Sequence, residues 1–320
     1  MYIHLFNLIN NNGINKFKKI VFVFIGFLVL IFLADILLGK MSRFLLKKQH
    51  SGWEYSTKFS IETTTAPIII LGNSRGIHDY EPDIITNKVG LDCYNASRDD
   101  QSILYHCAIF NTITKRYTPK IVILDISYNM LGKYDNNYSQ LNYLLPYYAT
   151  HPEIKSIIET KGSSVKTKFL SAFYPYHSMF FTIAKGYFKK DKTLDSLHGF
   201  KPIAGYLSGP LVHKSTDLVY PLDTVLVHYL QKMIDTCQQL GIQLYLSIAP
   251  YYYHTVTNDI SVNTLESIAK QKNIPLLNFS NYPTFLQHPV LFRNYENLNK
   301  KGADIYTNLL MDTILKLQKR

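Results

Sequence analysis

Five short strand-like runs, the first of them apolar throughout, most constrain what this chain can fold into. Pro67-Ile68-Ile69-Ile70-Leu71-Gly72 is the clearest, and Leu91 to Ala96, Lys120 to Ile126, Ile242 to Ile248 and Ile274 to Phe279 follow. A strand that is apolar on both sides belongs to a parallel sheet covered on both faces. Helical patterns separate the runs. Asp100 to Tyr117 carries apolar residues at helical spacing and is ended by Pro119, and Asp223 to Leu240 is stopped by Gly241. Ile260 to Lys272 and Asn299 to Lys319 complete the set. Strands alternating with helices, joined by right-handed crossovers, predict a three-layer, doubly wound α/β fold. Its five parallel strands take the flavodoxin-like order 2-1-3-4-5. Residues 130–222 form a long, Tyr-rich insertion after the third strand, expected to build a cap or cleft wall.

A second run is of another kind. Ile20 to Ala34 has no charge, and with Ile36-Leu37-Leu38 the stretch 20–38 is just long enough to cross a hydrocarbon core as a helix. No small-residue cleavage site follows it, so an uncleaved signal anchor is expected. The division is then a cytoplasmic leader (1–19), a transmembrane anchor (20–38), a linker (39–66) and a globular domain (67–320). Charge agrees with a membrane neighbour. Of the net +11, +6 lies before residue 49, where seven Lys and Arg face one acid, Asp35. There is no basic stripe or zinc-finger spacing, so no nucleic-acid partner is expected. With 47% hydrophobic residues the chain has ample core and is not a disordered segment. Cys93, Cys107 and Cys237 have no CxxC spacing and read as small buried hydrophobes, with neither a disulfide framework nor a metal site. No cofactor is expected.

In an open parallel sheet, ligands gather beyond the carboxyl ends of the strands. Those ends carry Gly72-Asn73-Ser74-Arg75, Asn95-Ala96-Ser97-Arg98-Asp99-Asp100, Asp125-Ile126-Ser127-Tyr128-Asn129 and Pro250-Tyr251-Tyr252-Tyr253-His254. A serine between a strand and a helix reads in two ways. It is a plain helix cap, or a nucleophile whose hydroxyl stands beside unpaired N–H groups that can hold an oxyanion. Both readings remain open on local grounds.

The run Ile69-Ile70-Leu71-Gly72-Asn73-Ser74-Arg75 resembles the first block of the SGNH (GDSL-like) hydrolase family. Asn95-Ala96-Ser97-Arg98 resembles its second block, and Asn294-Tyr295-Glu296-Asn297-Leu298-Asn299-Lys300-Lys301-Gly302-Ala303 its last, commonly Asp-x-x-His-Leu-Asn-x-x-Gly-Ala. The resemblance runs from about Pro67 to the C-terminus. It implies a Ser74 nucleophile, an oxyanion held by Ser74, Ser97 and the third-block Asn129, and an ester hydrolase or O-acyltransferase. The implied substrate is an acyl group of a cell-envelope polysaccharide or another envelope ester. The anchored bacterial members it resembles place the domain on the periplasmic side of the inner membrane.

The departures bear on proton transfer. Asn294 stands at the Asp position and Asn297 at the His position, and an amide neither accepts the serine proton nor fixes the tautomer of a group that does. His288 is the candidate substitute base, with His78, His254 and the carboxylates Asp79, Asp99, Asp100 and Asp125 on the same rim. Arg75 and Arg98 are candidate holders of an anionic substituent, and Tyr251 and Tyr252 candidate faces for a sugar ring. Tyr143, Tyr147, Tyr148, Tyr174 and Tyr176 of the insertion invite the same reading, against ordinary packing. The competing function is a catalytically inactive relative that binds glycan or serves in assembly. A flavodoxin-type nucleotide domain is disfavoured because no Gly-rich phosphate loop is present.

Overall fold

The computed structural model describes residues 2–134, 136–189, 197–208, 220–252 and 259–319, with side chains from residue 16 onward. In chain order, α1 (Tyr2–Lys47) and α2 (Gly52–Glu62) precede β1 (Ile68–Leu71). Then come α3 (Ser74–Asp79), α4 (Pro82–Val89), β2 (Cys93–Asn95), α5 (Ile103–Arg116) and β3 (Ile121–Asp125). The insertion contains α6 (Asn136–Ser139), α7 (Pro152–Ile158), α8 (Val165–Lys168) and α9 (Phe180–Phe188). The chain closes with α10 (Thr224–Leu240), β4 (Gln243–Ile248), α11 (Ile260–Lys272), β5 (Leu276–Asn278), α12 (Pro283–Leu286) and α13 (Lys300–Gln318).

The sheet order is β2-β1-β3-β4-β5 and every pairing is parallel, as the apolar runs predict. Alternate residues of one strand feed two separate cores. Ile69 and Leu71 of β1 join Val122 and Leu124 of β3 under α5, α10 and α11. Ile68 and Ile70 join Ile121 and Ile123 under α4 and α13. Each such side chain contributes roughly 1.5–3 kcal/mol by leaving water, which is why no polar residue interrupts these strands.

The last sequence block is first of all a packing device. Leu298 is buried, and Asn299 caps α13 by accepting the Gly302 N–H at 3.0 Å. A Cβ at Gly302 would lie 2.1 Å from the Leu291 carbonyl oxygen, so glycine is required where α13 crosses the chain before it. Gly302→Ala is therefore expected to destabilise the protein by about 1–3 kcal/mol despite alanine's better helix propensity, as read by denaturant unfolding.

Two expectations are corrected. Residues 39–66 are not a linker: α1 runs unbroken to Lys47, and Leu45 and Leu46 bury against Tyr176, Met179 and Ile183 of the insertion. Behind it α2 packs on α5, with Ile61 in the main core. The insertion is a cleft wall only at its start. Leu144, Ile154 and Ile157 extend the core over α5, and the segment around α9 docks on α1.

Candidate active site

Ser74 opens α3 directly beyond β1, where the tight strand-to-helix turn needs Gly72: a Cβ there would lie 2.7 Å from that of Asp125. Asn73 caps the helix, its Oδ1 accepting the Arg75 N–H at 3.1 Å while its Nδ2 donates to the Ser127 hydroxyl at 3.0 Å. Asn73, not Ser74, is thus the cap, and no side chain among the described residues hydrogen-bonds the Ser74 hydroxyl. As the first residue of the helix, Ser74 has an N–H with no carbonyl one turn behind it.

This hydroxyl opens into a cleft of about 370 Å³ beyond the carboxyl ends of β1 and β3. It is lined by the amide and hydroxyl residues Asn73, Gln101, Ser127, Asn129, Asn136 and Gln140, together with the acidic residues Asp100 and Glu296. Asp100 and Asn129 hold left-handed backbone at φ 58° and 56°, a conformation that Asp and Asn tolerate better than most residues. Asn129 is pinned there by its N–H to Asp259 Oδ2 at 2.6 Å. The carbonyl oxygens of the Gln101 and Asn129 side chains are buried with no protein partner. A buried acceptor in a polar cleft is left for water or for a ligand donor.

The last block reaches this cleft through Glu296. Asn294 Oδ1 accepts the N–H of Glu296 at 2.9 Å and of Asn297 at 2.7 Å, and the Asn297 amide donates to the same oxygen at 3.3 Å. The Glu296 carbonyl accepts from Arg75 Nη1 at 3.0 Å. Its main chain is therefore fixed from both sides, and the residue that fixes it follows Ser74 in sequence. Asn297 is buried, faces Asn294 and does not line the cleft.

Arg75 is 2% exposed and holds the site together from beneath. Its guanidinium donates to the carbonyls of Ala249, Pro250 and Glu296, lies 3.8 Å from Asp125 and stands 3.6 Å over the Tyr251 ring. Asp125 also accepts from Tyr80 at 2.7 Å, and Asp79 accepts the Leu298 N–H at 2.9 Å. Burial pushes both carboxyls above their usual range, against the pull of Arg75.

Several sequence-based assignments are corrected by this geometry. Arg75 and Arg98 face inward: Arg98 is bound to Glu54, Thr57 and the Trp53 carbonyl and lies under Tyr143. Tyr251 and Tyr252 are buried, Tyr251 under Arg75 and Tyr252 against Phe292. The insertion tyrosines pack as well, for instance Tyr148 on Phe169 at 3.9 Å. Ser97 is no oxyanion donor, because its N–H is given to Asn95 Oδ1 at 3.1 Å and it lies outside the cleft. His288 binds the Thr284 carbonyl at 2.7 Å and does not line the cleft. His78 is held between the Lys201 carbonyl and Asp99, 2.6 and 3.1 Å away. Burial disfavours the Asp99 carboxylate, but the bond from His78 with the charges of Lys201 and Arg98 outweighs it and keeps the carboxyl below its ordinary range. Tyr253 and His254 lie outside the described residues.

Glu296 sits between the aligned Asp and His positions, at a place the family pattern leaves free. Its signal was present: it is the one acidic residue in the block Asn294 to Leu298.

No family model and no curated protein matches this sequence. Among solved structures, a psychrotrophic esterase from a Pseudoalteromonas species is similar at 13% identity and a TM-score of 0.43, covering 79% of this chain and 98% of that one. A GDSL-like lipase from Bacteroides thetaiotaomicron is similar at 11% identity and a TM-score of 0.39, over 78% and 88%. An acetyl xylan esterase is similar at 13% identity and a TM-score of 0.36, over 78% and 98%.

Proposed function

We propose that this chain is a membrane-anchored serine ester site of the SGNH type, with Ser74 as nucleophile of ester hydrolysis or acyl transfer. The observation that carries the reading is a serine with an uncommitted hydroxyl at a helix start, opening on a polar cleft whose lining includes two acidic residues, Asp100 and Glu296. Cleft walls of amides and hydroxyls, with two buried acceptors unfilled by protein, suit a hydroxyl-rich ligand such as a glycan carrying a short acyl group. The apolar helix α1, long enough to cross a membrane, supports an envelope substrate on the periplasmic side.

In this mechanism the Ser74 oxygen attacks the ester carbonyl while its proton passes to the Glu296 carboxylate. The Ser74 N–H and the Asn129 amide hold the oxyanion. Collapse of the tetrahedral intermediate expels the alcohol, which takes the proton back from Glu296 and leaves Ser74 acylated. Water, or a hydroxyl of a second glycan, then attacks with the same proton route. Asn294 acts as a positioning residue, holding the Glu296 main chain.

Labelling the full chain in detergent with a fluorophosphonate, followed by intact mass, tests the reading without a known substrate. One adduct is expected, absent in Ser74→Ala. Glu296→Gln is expected to slow it by about 10²-fold, in the range for loss of a general base, while Asp100→Asn leaves the rate nearly unchanged. If Asp100→Asn is the slow variant, the base is Asp100 instead. A non-catalytic glycan-binding role is the second reading, favoured by the amide pair Asn294–Asn297 in place of a proton-transferring pair. It predicts no adduct at all.

A further inference from the structure

The insertion does more than pack beside α1: it reaches down to the level where the apolar stretch of that helix ends. Asp35 lies inside the stretch 20–38, where an unpaired carboxylate is costly. It is satisfied by the insertion, accepting from the Ser171 hydroxyl and from the N–H groups of Ala172 and Phe173 at 2.5, 2.7 and 3.2 Å. Four residues further along α1, Gly39 lets the backbones meet, since a Cβ there would lie 2.5 Å from the Ala172 carbonyl oxygen. Arg43 then donates to the Tyr176 hydroxyl at 3.3 Å, and Leu45 and Leu46 bury against Met179 and Ile183. The segment is therefore held rigidly along α1 with its lowest turn level with Asp35.

That turn presents apolar surface outward. Among the described residues, the two most exposed large apolar side chains are Leu170 (86%) and Phe181 (83%), and both lie on this docked segment. They exceed even Phe22 of the apolar stretch itself, at 78%. Lys166 and Lys168 precede Leu170, and both are exposed. An apolar tip flanked by lysines, fixed at the depth where a spanning helix leaves the hydrocarbon, has the chemistry of a lipid interface: methylene groups below, headgroup phosphates above.

We propose that the turn around Leu170 is a second lipid contact, a footing that enters the bilayer interface beside α1 and fixes the cleft's height and orientation over the membrane. This rests on the reading of α1 as an anchor, and it is independent of the chemistry at Ser74. The footing makes the anchor and the body one rigid unit, so the cleft addresses ligands at a set distance from the lipid.

Fluorescence depth measurement on the full chain in vesicles of phosphatidylcholine and phosphatidylglycerol tests it. Cys93, Cys107 and Cys237 are all buried, so a single introduced thiol takes the probe. Probes are placed by Leu170→Cys, by Leu30→Cys within the apolar stretch, and by Val290→Cys at a position 52% exposed on the distant C-terminal part of the sequence. At 170, strong quenching by lipid carrying a doxyl group near the headgroup is expected, with iodide access at least about five-fold lower than at 290. Equal iodide access at 170 and 290, with the probe at 30 quenched by lipid, overturns the footing and leaves the anchor standing. A probe at 30 that is open to iodide overturns the anchor and the footing with it. Circular dichroism of each labelled protein excludes unfolding as the source of access.

Discussion

Replacing Asn294 by aspartate and Asn297 by histidine together is expected to raise turnover of a small acetyl ester by at least about 10²-fold over the natural chain. The pairing between the two positions is already built. Asn297 donates its side-chain amide to Asn294 Oδ1 at 3.3 Å, the arrangement in which an imidazole N–H would meet an orienting carboxylate. Aspartate at 294 keeps an acceptor oxygen in the place of Oδ1, so the turn that fixes the N–H groups of residues 296 and 297 survives. What changes is the chemistry: histidine can accept the Ser74 proton and an amide cannot. Asn297→His alone should gain much less, because loss of the orienting carboxylate in such a triad costs about 10⁴-fold. The measurement is steady-state hydrolysis by the full chain, with Ser74→Ala added to each variant as the control. If the double replacement gives no more activity than either single one, the side chain at 297 does not reach Ser74, and Asn297 serves only to support the turn.

The second large effect concerns Arg75. Arg75→Met keeps much of the side-chain volume and removes the charge. It leaves Asp125 and Asp79 buried without their common cation, and the carbonyls of Ala249, Pro250 and Glu296 without their donor. Breaking a buried ion pair from one side costs about 3–5 kcal/mol. For a chain of this size that corresponds to a fall in Tm of roughly 6 °C. Lowering the pH should narrow the gap between Arg75→Met and the natural chain. Both carboxyls are raised by burial, and protonation removes the charge that Arg75 would have neutralised. A stability loss below about 1 kcal/mol at neutral pH would mean that the carboxyls are neutral in the natural chain as well. Since Arg75 also grips the Glu296 carbonyl, the same variant should label slowly with the fluorophosphonate even at temperatures where it is folded.

How much could be read beforehand differed from element to element. The strands themselves were legible because burial on both faces of β1 and β3 favours apolar residues along their length. The extent of α1 did not, since Lys40, Arg43, Lys47 and Lys48 made residues 39–47 look like a solvated tether. Its buried face there is only Gly39, Ser42, Leu45 and Leu46, one residue per turn or so, and its partner lies more than 120 residues away. Ser74 was legible because a strand, a tight glycine turn and a helix start are all local. Arg75, Arg98, Tyr251 and Tyr252 were misread for the complementary reason. Position near a strand end is local, but whether a long side chain points into the cleft or beneath it depends on what the neighbouring strand ends provide. Here those are the carbonyls of Ala249 and Pro250 and the carboxylate of Asp125 for Arg75, while Arg98 is taken by Glu54 of α2. The run Leu298-Asn299-Lys300-Lys301-Gly302-Ala303 stood out in the sequence for its specificity, and that specificity belongs to a helix cap and a close backbone crossing.

By itself, then, the sequence determined the alternation of strands and helices, the apolar stretch of α1 and the place of Ser74 at the first turn. Each depends on periodicity or on contacts within a few residues, which the chain carries wherever it goes. Only the tertiary structure decided that Glu296 shares a cleft with Ser74, that Asn297 turns toward Asn294, that the arginines are internal ties and that the insertion is clamped to Asp35. Apart from the local turn of Asn297 toward Asn294, those outcomes join segments from 41 to 221 residues apart, and they are set by which polar groups find partners once the two cores have closed.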